Sequence, residues 1–368
     1  MMRYINAYLR TIKPYSPASH KIWRVSPQER DGILKLDWNE STMPPSPLVN
    51  DALASLLERQ DFFRLYPSTY NAGLVKALAD YTGLGAENIQ YFASSDSLHE
   101  YIARTYISPG DPVLILWPSY DNFRLTAEAG GAVIHYSELG RDFAFDEEKF
   151  THDIMKYQPS LVYICNPNNP TGTFIEPETL ERVIEADHDA MFLVDEAYIE
   201  FAGESANSLV LKHDNLLITH TMSKAFGLAN FRFGYLVSCG QNISDISSIR
   251  NSKNVTTFAQ SAVIAALSDV KYMNDYVEEV CAAREMFTEK VNTDFSGGLY
   301  AYPSRGNFVL VRCRDESMKQ KIIAGLEERN IFVRNVSQSE ALRCCFRITI
   351  GTRKQMSRVL QALREILR

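Results

Sequence analysis

The chain has 368 residues, long enough for a full core, and its 45% hydrophobic and 23% charged side chains are those of an ordinary globular protein. A formal charge of -7, from 45 acidic against 38 basic side chains with no Lys/Arg run, argues against nucleic acid or an anionic membrane as partner. No apolar stretch approaches the roughly 20 residues of a membrane span, and the amino-terminal sequence lacks the charged, apolar, small-residue order of a signal peptide.

The first ~40 residues, rich in Pro, Tyr and Trp with little periodicity, read as an arm that docks onto something else. Seven short β-rich runs follow: Ile89 to Phe92, Val113 to Leu116, Ala132 to Tyr136, Leu161 to Cys165, Met191 to Val194, Leu216 to Thr219 and Tyr235 to Ser238. Several are continuously apolar, the pattern of strands buried on both faces of a largely parallel sheet. Helical patterns such as Leu98 to Ile107 and Pro177 to Asp187 lie between most of them, which makes the fold α/β. The short link before the last run suggests that this strand runs antiparallel.

From Phe258 to Val291 apolar residues recur at helical spacing without Pro or Gly, predicting one long helix. Strand, helix and strand then follow at Phe308 to Val311, Ser317 to Arg329 and Cys345 to Ile350. The expected organisation is an arm over 1–44, a large domain over 45–257 with a seven-stranded, mostly parallel sheet, and a small α/β domain over 258–368. Six scattered cysteines, with no Cys-x-x-Cys or His-Glu-x-x-His spacing, suit reduced thiols in a cytoplasmic enzyme and no metal.

Ligands of an open parallel sheet bind beyond the carboxyl ends of its strands. Polar residues fall there one run after another: Ser94, Ser95, Asp96 and Ser97; then Pro118, Ser119 and Tyr120; Asn166 to Gly172; Asp195 and Tyr198; Thr221, Ser223 and Lys224. Taken singly, Ser223-Lys224 is a helix cap with a solvated amine, and Asn166 to Gly172 a turn rich in turn formers. The ordered set is what points to one site. An amine, an acid and a phenol at strand ends suit pyridoxal phosphate, whose aldehyde takes an amine and whose pyridine nitrogen wants a carboxylate.

Four motifs carry a family resemblance: Asn-Pro-Asn-Asn-Pro-Thr-Gly at 166–172, Val-Asp-Glu-Ala-Tyr at 194–198, Ser-Lys-Ala-Phe-Gly-Leu-Ala-Asn-Phe-Arg-Phe-Gly-Tyr at 223–235, and Phe-Arg-Ile-Thr-Ile-Gly-Thr at 346–352. In this order, over nearly the whole chain, they resemble the fold-type I pyridoxal-phosphate aminotransferases, closest to the histidinol-phosphate aminotransferase branch. The resemblance implies that Lys224 holds the cofactor and later moves the substrate proton, that Asp195 keeps the ring nitrogen protonated, and that Tyr198 and Asn169 donate to the ring oxygen. It implies Tyr120 stacked on the ring, and Ser95, Asp96, Thr221, Ser223 and Arg232 around the phosphate. Tyr66 resembles the tyrosine that reaches the phosphate from the other subunit of a homodimer.

For substrates, Arg347 resembles the arginine of the amino donor's carboxylate, with glutamate and 2-oxoglutarate as the donor pair. Arg334, thirteen residues earlier, resembles the one beside the second substrate's phosphate, and Tyr15 an amino-terminal substrate tyrosine. Ser94-Ser95-Asp96-Ser97 and Asn39-Glu40-Ser41-Thr42 depart from the family's usual Gly-Ser/Ala-Asp-Glu and Asn-Glu-Asn-Pro, which leaves room for another small phosphorylated amine or keto substrate. A decarboxylase of a phosphorylated amino acid would share every cofactor contact, and a non-catalytic binding or regulatory protein could keep the fold. A dinucleotide enzyme is weaker, because Gly83-Leu-Gly85 lacks the third glycine of that fingerprint.

Overall fold

The computed structural model describes residues 7–10, 12, 21–30, 32–59, 62–337 and 339–368. The arm contributes a short strand, β1 (Leu34–Leu36). Seven strands then build the large sheet: β2 (Ile89–Phe92), β3 (Pro112–Trp117), β4 (Val133–Glu138), β5 (Leu161–Cys165), β6 (Met191–Asp195), β7 (Leu216–Thr221) and β8 (Gly234–Ser238), in the order β2-β8-β7-β6-β5-β3-β4. Every residue of β5, β7 and β8 is buried, which is why these runs carry no polar alternation. All adjacent pairs are parallel except those of β8, antiparallel to both β2 and β7 as its short link from β7 demands. The carboxyl ends of β2, β3, β5, β6 and β7 therefore share one edge.

A second sheet has the order β1-β11-β12-β10-β9, from β9 (Leu299–Ala301), β10 (Phe308–Cys313), β11 (Ile331–Asn335) and β12 (Cys345–Thr349). The arm is thus joined to the chain's last third, with β1 parallel to β11. In β12, Arg347 stands opposite Leu310 of β10 and Arg334 of β11, so the two arginines share one face.

The single long helix expected after residue 257 is instead two, Thr257–Leu267 and Val270–Asp294. Apolar spacing continues across the break, but the Asp269 carboxylate turns away to accept the Ser46 hydroxyl at 2.5 Å. The first of the two helices packs on Pro47–Leu57, the helix that Ser46 caps. No helix of the described residues is long and apolar enough to cross a membrane.

Candidate active site

At the end of β2 the chain turns directly into the helix Ser95–Tyr106. The turn residue Ser94 has φ 87 and ψ 159, a region open essentially to glycine. Holding a serine there costs roughly 1–3 kcal/mol, and its Oγ accepts the Ser97 N–H at 3.2 Å. Gly234 supplies the room, since a Cβ there would lie 2.5 Å from the Ser95 nitrogen. Facing this helix start, Thr221 Oγ1 accepts the Ser223 N–H at 3.2 Å and lies 2.9 Å from Ser223 Oγ. Arg232, with φ 52, lies 3.4 Å from the Asp96 carboxylate and leaves half of its side chain exposed. A helix start, hydroxyls and a guanidinium suit a phosphate dianion.

The Asp96 carboxylate is engaged otherwise than by a phosphate, which it would repel. It accepts Tyr120 Oη at 3.1 Å and Asn122 Nδ2 at 3.0 Å and thereby fixes the tyrosine at the rim. The group of Asp96 that suits an anion is its backbone N–H at the helix start.

Asp195 closes β6, 3% exposed. It accepts Tyr163 Oη at 3.0 Å and the Ala197 N–H at 3.2 Å, with Thr219 Oγ1 at 3.5 Å and His99 Nε2 at 3.9 Å. Burial raises its pKa, while the His99 ring and the Tyr163 hydrogen bond pull it down. Among the described residues no lysine or arginine nitrogen lies within 4.0 Å of it. A desolvated carboxylate of this kind is completed by a protonated nitrogen, which a pyridine ring offers.

Lys224 lies three residues past the end of β7, half-buried, its Nζ donating to the Trp38 carbonyl at 3.0 Å. Desolvation, with the Arg347 charge second, lowers its pKa to about 8. The amine is thereby available as a nucleophile near neutral pH. Tyr198 Oη accepts Asn39 Nδ2 and Asn169 Nδ2, each at 3.2 Å. The other end of Asn169 accepts Arg347 at 2.6 Å, and Arg347 also donates to the Asp37 carbonyl at 2.6 Å. Lys224, Tyr198, Asn169 and Arg347 thus form one cluster.

Of the other residues singled out in the sequence, Arg334 adjoins Arg347 across the β11–β12 pair and is partly buried. Tyr66 stands apart, 82% exposed, its ring 4.8 Å from Lys253 Nζ. Tyr15 lies outside the described residues. Sequence reasoning missed His99, Tyr163 and Thr219 around Asp195, and the carbonyls of Asp37 and Trp38. Each reads in sequence as ordinary helix, strand or arm, and only the fold makes them neighbours.

The amine, the buried carboxylate, the phenol and the anion-binding helix start thus lie between the carboxyl ends of a parallel sheet and a second, smaller sheet, a donor set that suits pyridoxal phosphate. The family model for aminotransferase class I and II matches residues 31–363. A dihydroxyacetone phosphate transaminase of Campylobacter jejuni subsp. jejuni is 39% identical over 98% of this chain and 96% of its own. A histidinol-phosphate aminotransferase of Ruminiclostridium cellulolyticum is 33% identical over 90% and 91%. The solved histidinol-phosphate aminotransferase of Sinorhizobium meliloti, in complex with pyridoxal-5'-phosphate, superposes with a TM-score of 0.86 at 26% identity, covering 100% of this chain and 98% of that one. The chain belongs to the class I and II aminotransferases, in their histidinol-phosphate aminotransferase-like branch, and is a pyridoxal-phosphate-dependent transaminase.

Proposed function

We propose that the enzyme moves the amino group of glutamate onto a small phosphorylated ketone of the dihydroxyacetone phosphate type, releasing 2-oxoglutarate and an amino phosphate. The observation that carries this reading is the pair of arginines opposed across β11 and β12. One is buried among the catalytic candidates and the other is nearer the surface, an arrangement suited to a carboxylate at Arg347 and a phosphate at Arg334. The longer and higher match to a relative named for dihydroxyacetone phosphate supports a three-carbon ketone over histidinol phosphate.

Pyridoxal phosphate, bound at this site, supplies the aldehyde for a Schiff base and a ring that takes up the electron pair left when a Cα proton departs. Ser95, Thr221, Ser223, Arg232 and the Asp96 N–H hold the phosphate, Tyr120 covers the ring, and Asp195 keeps the ring nitrogen protonated. Lys224 would attach the cofactor through its amine and, once freed from it, take the proton from the substrate Cα. Tyr198 and Asn169 hold the ring oxygen, and Asn169 also orients Arg347. Phe63, Leu65 and Tyr70 are exposed close to Tyr66 in sequence, and a second copy covering them would bring Tyr66 to the partner's phosphate cup. The six free cysteines suit a reducing, cytoplasmic compartment.

Arg334→Ala tests the substrate assignment. It should raise KM for the phosphorylated ketone by roughly 10- to 150-fold, the worth of a charge-assisted contact of about 1.5–3 kcal/mol. The half-reaction with glutamate, which carries no phosphate, should stay near normal. Equal damage to both half-reactions, or to neither, removes Arg334 from the substrate's phosphate. Carbon dioxide released from a phosphorylated amino acid replaces transamination by decarboxylation.

A further inference from the structure

Tyr198 has one proton to give and two lone pairs to fill, and both lone pairs are taken. Asn39 Nδ2 and Asn169 Nδ2 each donate to its Oη at 3.2 Å. The Asn169 amide cannot present its oxygen instead. The Asn169 oxygen accepts from Arg347, which can only donate. The Asn39 oxygen accepts the Thr349 hydroxyl at 3.2 Å, whose own oxygen accepts the Asn39 N–H at 2.9 Å. Among the described residues nothing accepts the Tyr198 hydroxyl proton. Burial raises the Tyr198 pKa, so the group keeps that proton.

We infer that Asn39, on the amino-terminal arm, is a positioning residue that commits Tyr198 to donate its proton into the active site. The inference rests on the reading that Tyr198 faces the oxygen of the cofactor ring. Asn39 is suited to the task in three respects. It is fully buried. Its φ of 55 is a left-handed conformation that asparagine tolerates better than most residues. Its carbonyl, N–H and both side-chain ends are all bonded, the carbonyl accepting Asn307 Nδ2 at 3.1 Å.

The partners of Asn39 belong to two sheets. Thr349 closes β12 and Asn307 immediately precedes β10, both in the five-stranded sheet that β1 joins, whereas Tyr198 follows β6 of the seven-stranded sheet. The two residues before Asn39 reinforce the arrangement, with the Asp37 carbonyl accepting Arg347 and the Trp38 carbonyl accepting Lys224. Three consecutive arm residues therefore touch three candidate catalytic or substrate-binding side chains. Any movement of the smaller sheet away from the larger one releases Tyr198 from the amide that fixes its donor direction.

The test is a double-mutant cycle read without turnover, as the pH midpoint of the bound cofactor's visible absorbance. A donor to the ring oxygen makes that oxygen a poorer base, so losing it raises the midpoint. Tyr198→Phe should give the largest rise, and Asn39→Gly, which keeps the left-handed backbone, a smaller one of roughly 0.3 to 1 pH unit. In the Tyr198→Phe background Asn39→Gly should add nothing. The same Asn39→Gly shift in both backgrounds, or none in the native one, overturns the inference while leaving the cofactor reading intact. An unmoved midpoint in Tyr198→Phe alone overturns it by removing Tyr198 from the ring oxygen. If Asn39→Gly does not fold, the isosteric Asn39→Asp replaces it, and its shift must be larger with Tyr198 present than without.

Discussion

Lys224→Ala should leave a folded chain that binds pyridoxal phosphate without covalent attachment and turns over at least roughly 10²- to 10⁴-fold more slowly, the range lost with a positioned acid–base group. The variant also loses the amine that forms the Schiff base, so the visible absorbance of the native holoenzyme should be missing. In the native chain this amine is desolvated, close to the Arg347 charge, and has a pKa lowered to about 8. Below that value the ammonium form dominates and cannot attack an aldehyde; above it the neutral amine dominates. Capture of pyridoxal phosphate by cofactor-free enzyme should therefore slow about tenfold per pH unit below ~8 and level off above it. Stopped-flow absorbance checks this, and a rate flat with pH below ~8 would take Lys224 out of the capture step.

Asp195→Ala should reduce kcat by roughly 10²-fold or more with a smaller effect on KM, because the protonated ring nitrogen matters most as charge develops on Cα. The environment of the residue adds a second expectation, for stability. Without cofactor Asp195 is a buried carboxylate whose pKa is raised by desolvation, so its removal should cost the cofactor-free enzyme little stability. With cofactor bound, the ring cation and the carboxylate complete each other, and the same substitution should lower Tm. Differential scanning calorimetry of the variant with and without cofactor separates the two. Equal loss of stability in both forms would make Asp195 a fold residue, and unaltered kcat would take it out of the chemistry.

Much of this is legible in the sequence, for reasons that particular residues show. Asp195 and Lys224 follow runs so apolar that they announce buried parallel strands, and the strand-end rule then puts their side chains in one crevice. Arg347 is legible because it alternates with Phe346 and Ile348 in a strand. The three residues of β1 are not, because their pairing with β11 depends on partners some three hundred positions away. His99 and Tyr163 look like packing residues on a helix and an apolar strand, and acquire a polar role only when β6 brings Asp195 between them. Asn39 shows the same limit: its motif is visible, yet its four hydrogen-bonded groups become meaningful only once the arm lies between two sheets.

The central claim, transfer of an amino group from glutamate to a phosphorylated ketone, is tested most directly by a single-turnover experiment. Holoenzyme is first exposed to glutamate, freed of small molecules, and then mixed with dihydroxyacetone phosphate or with dihydroxyacetone. Glutamate should abolish the aldehyde-form absorbance and release 2-oxoglutarate. Dihydroxyacetone phosphate should restore that absorbance as its keto oxygen is replaced by an amine, whereas unphosphorylated dihydroxyacetone at the same concentration should not. Absorbance unmoved by glutamate, or restored equally by both ketones, would contradict the account.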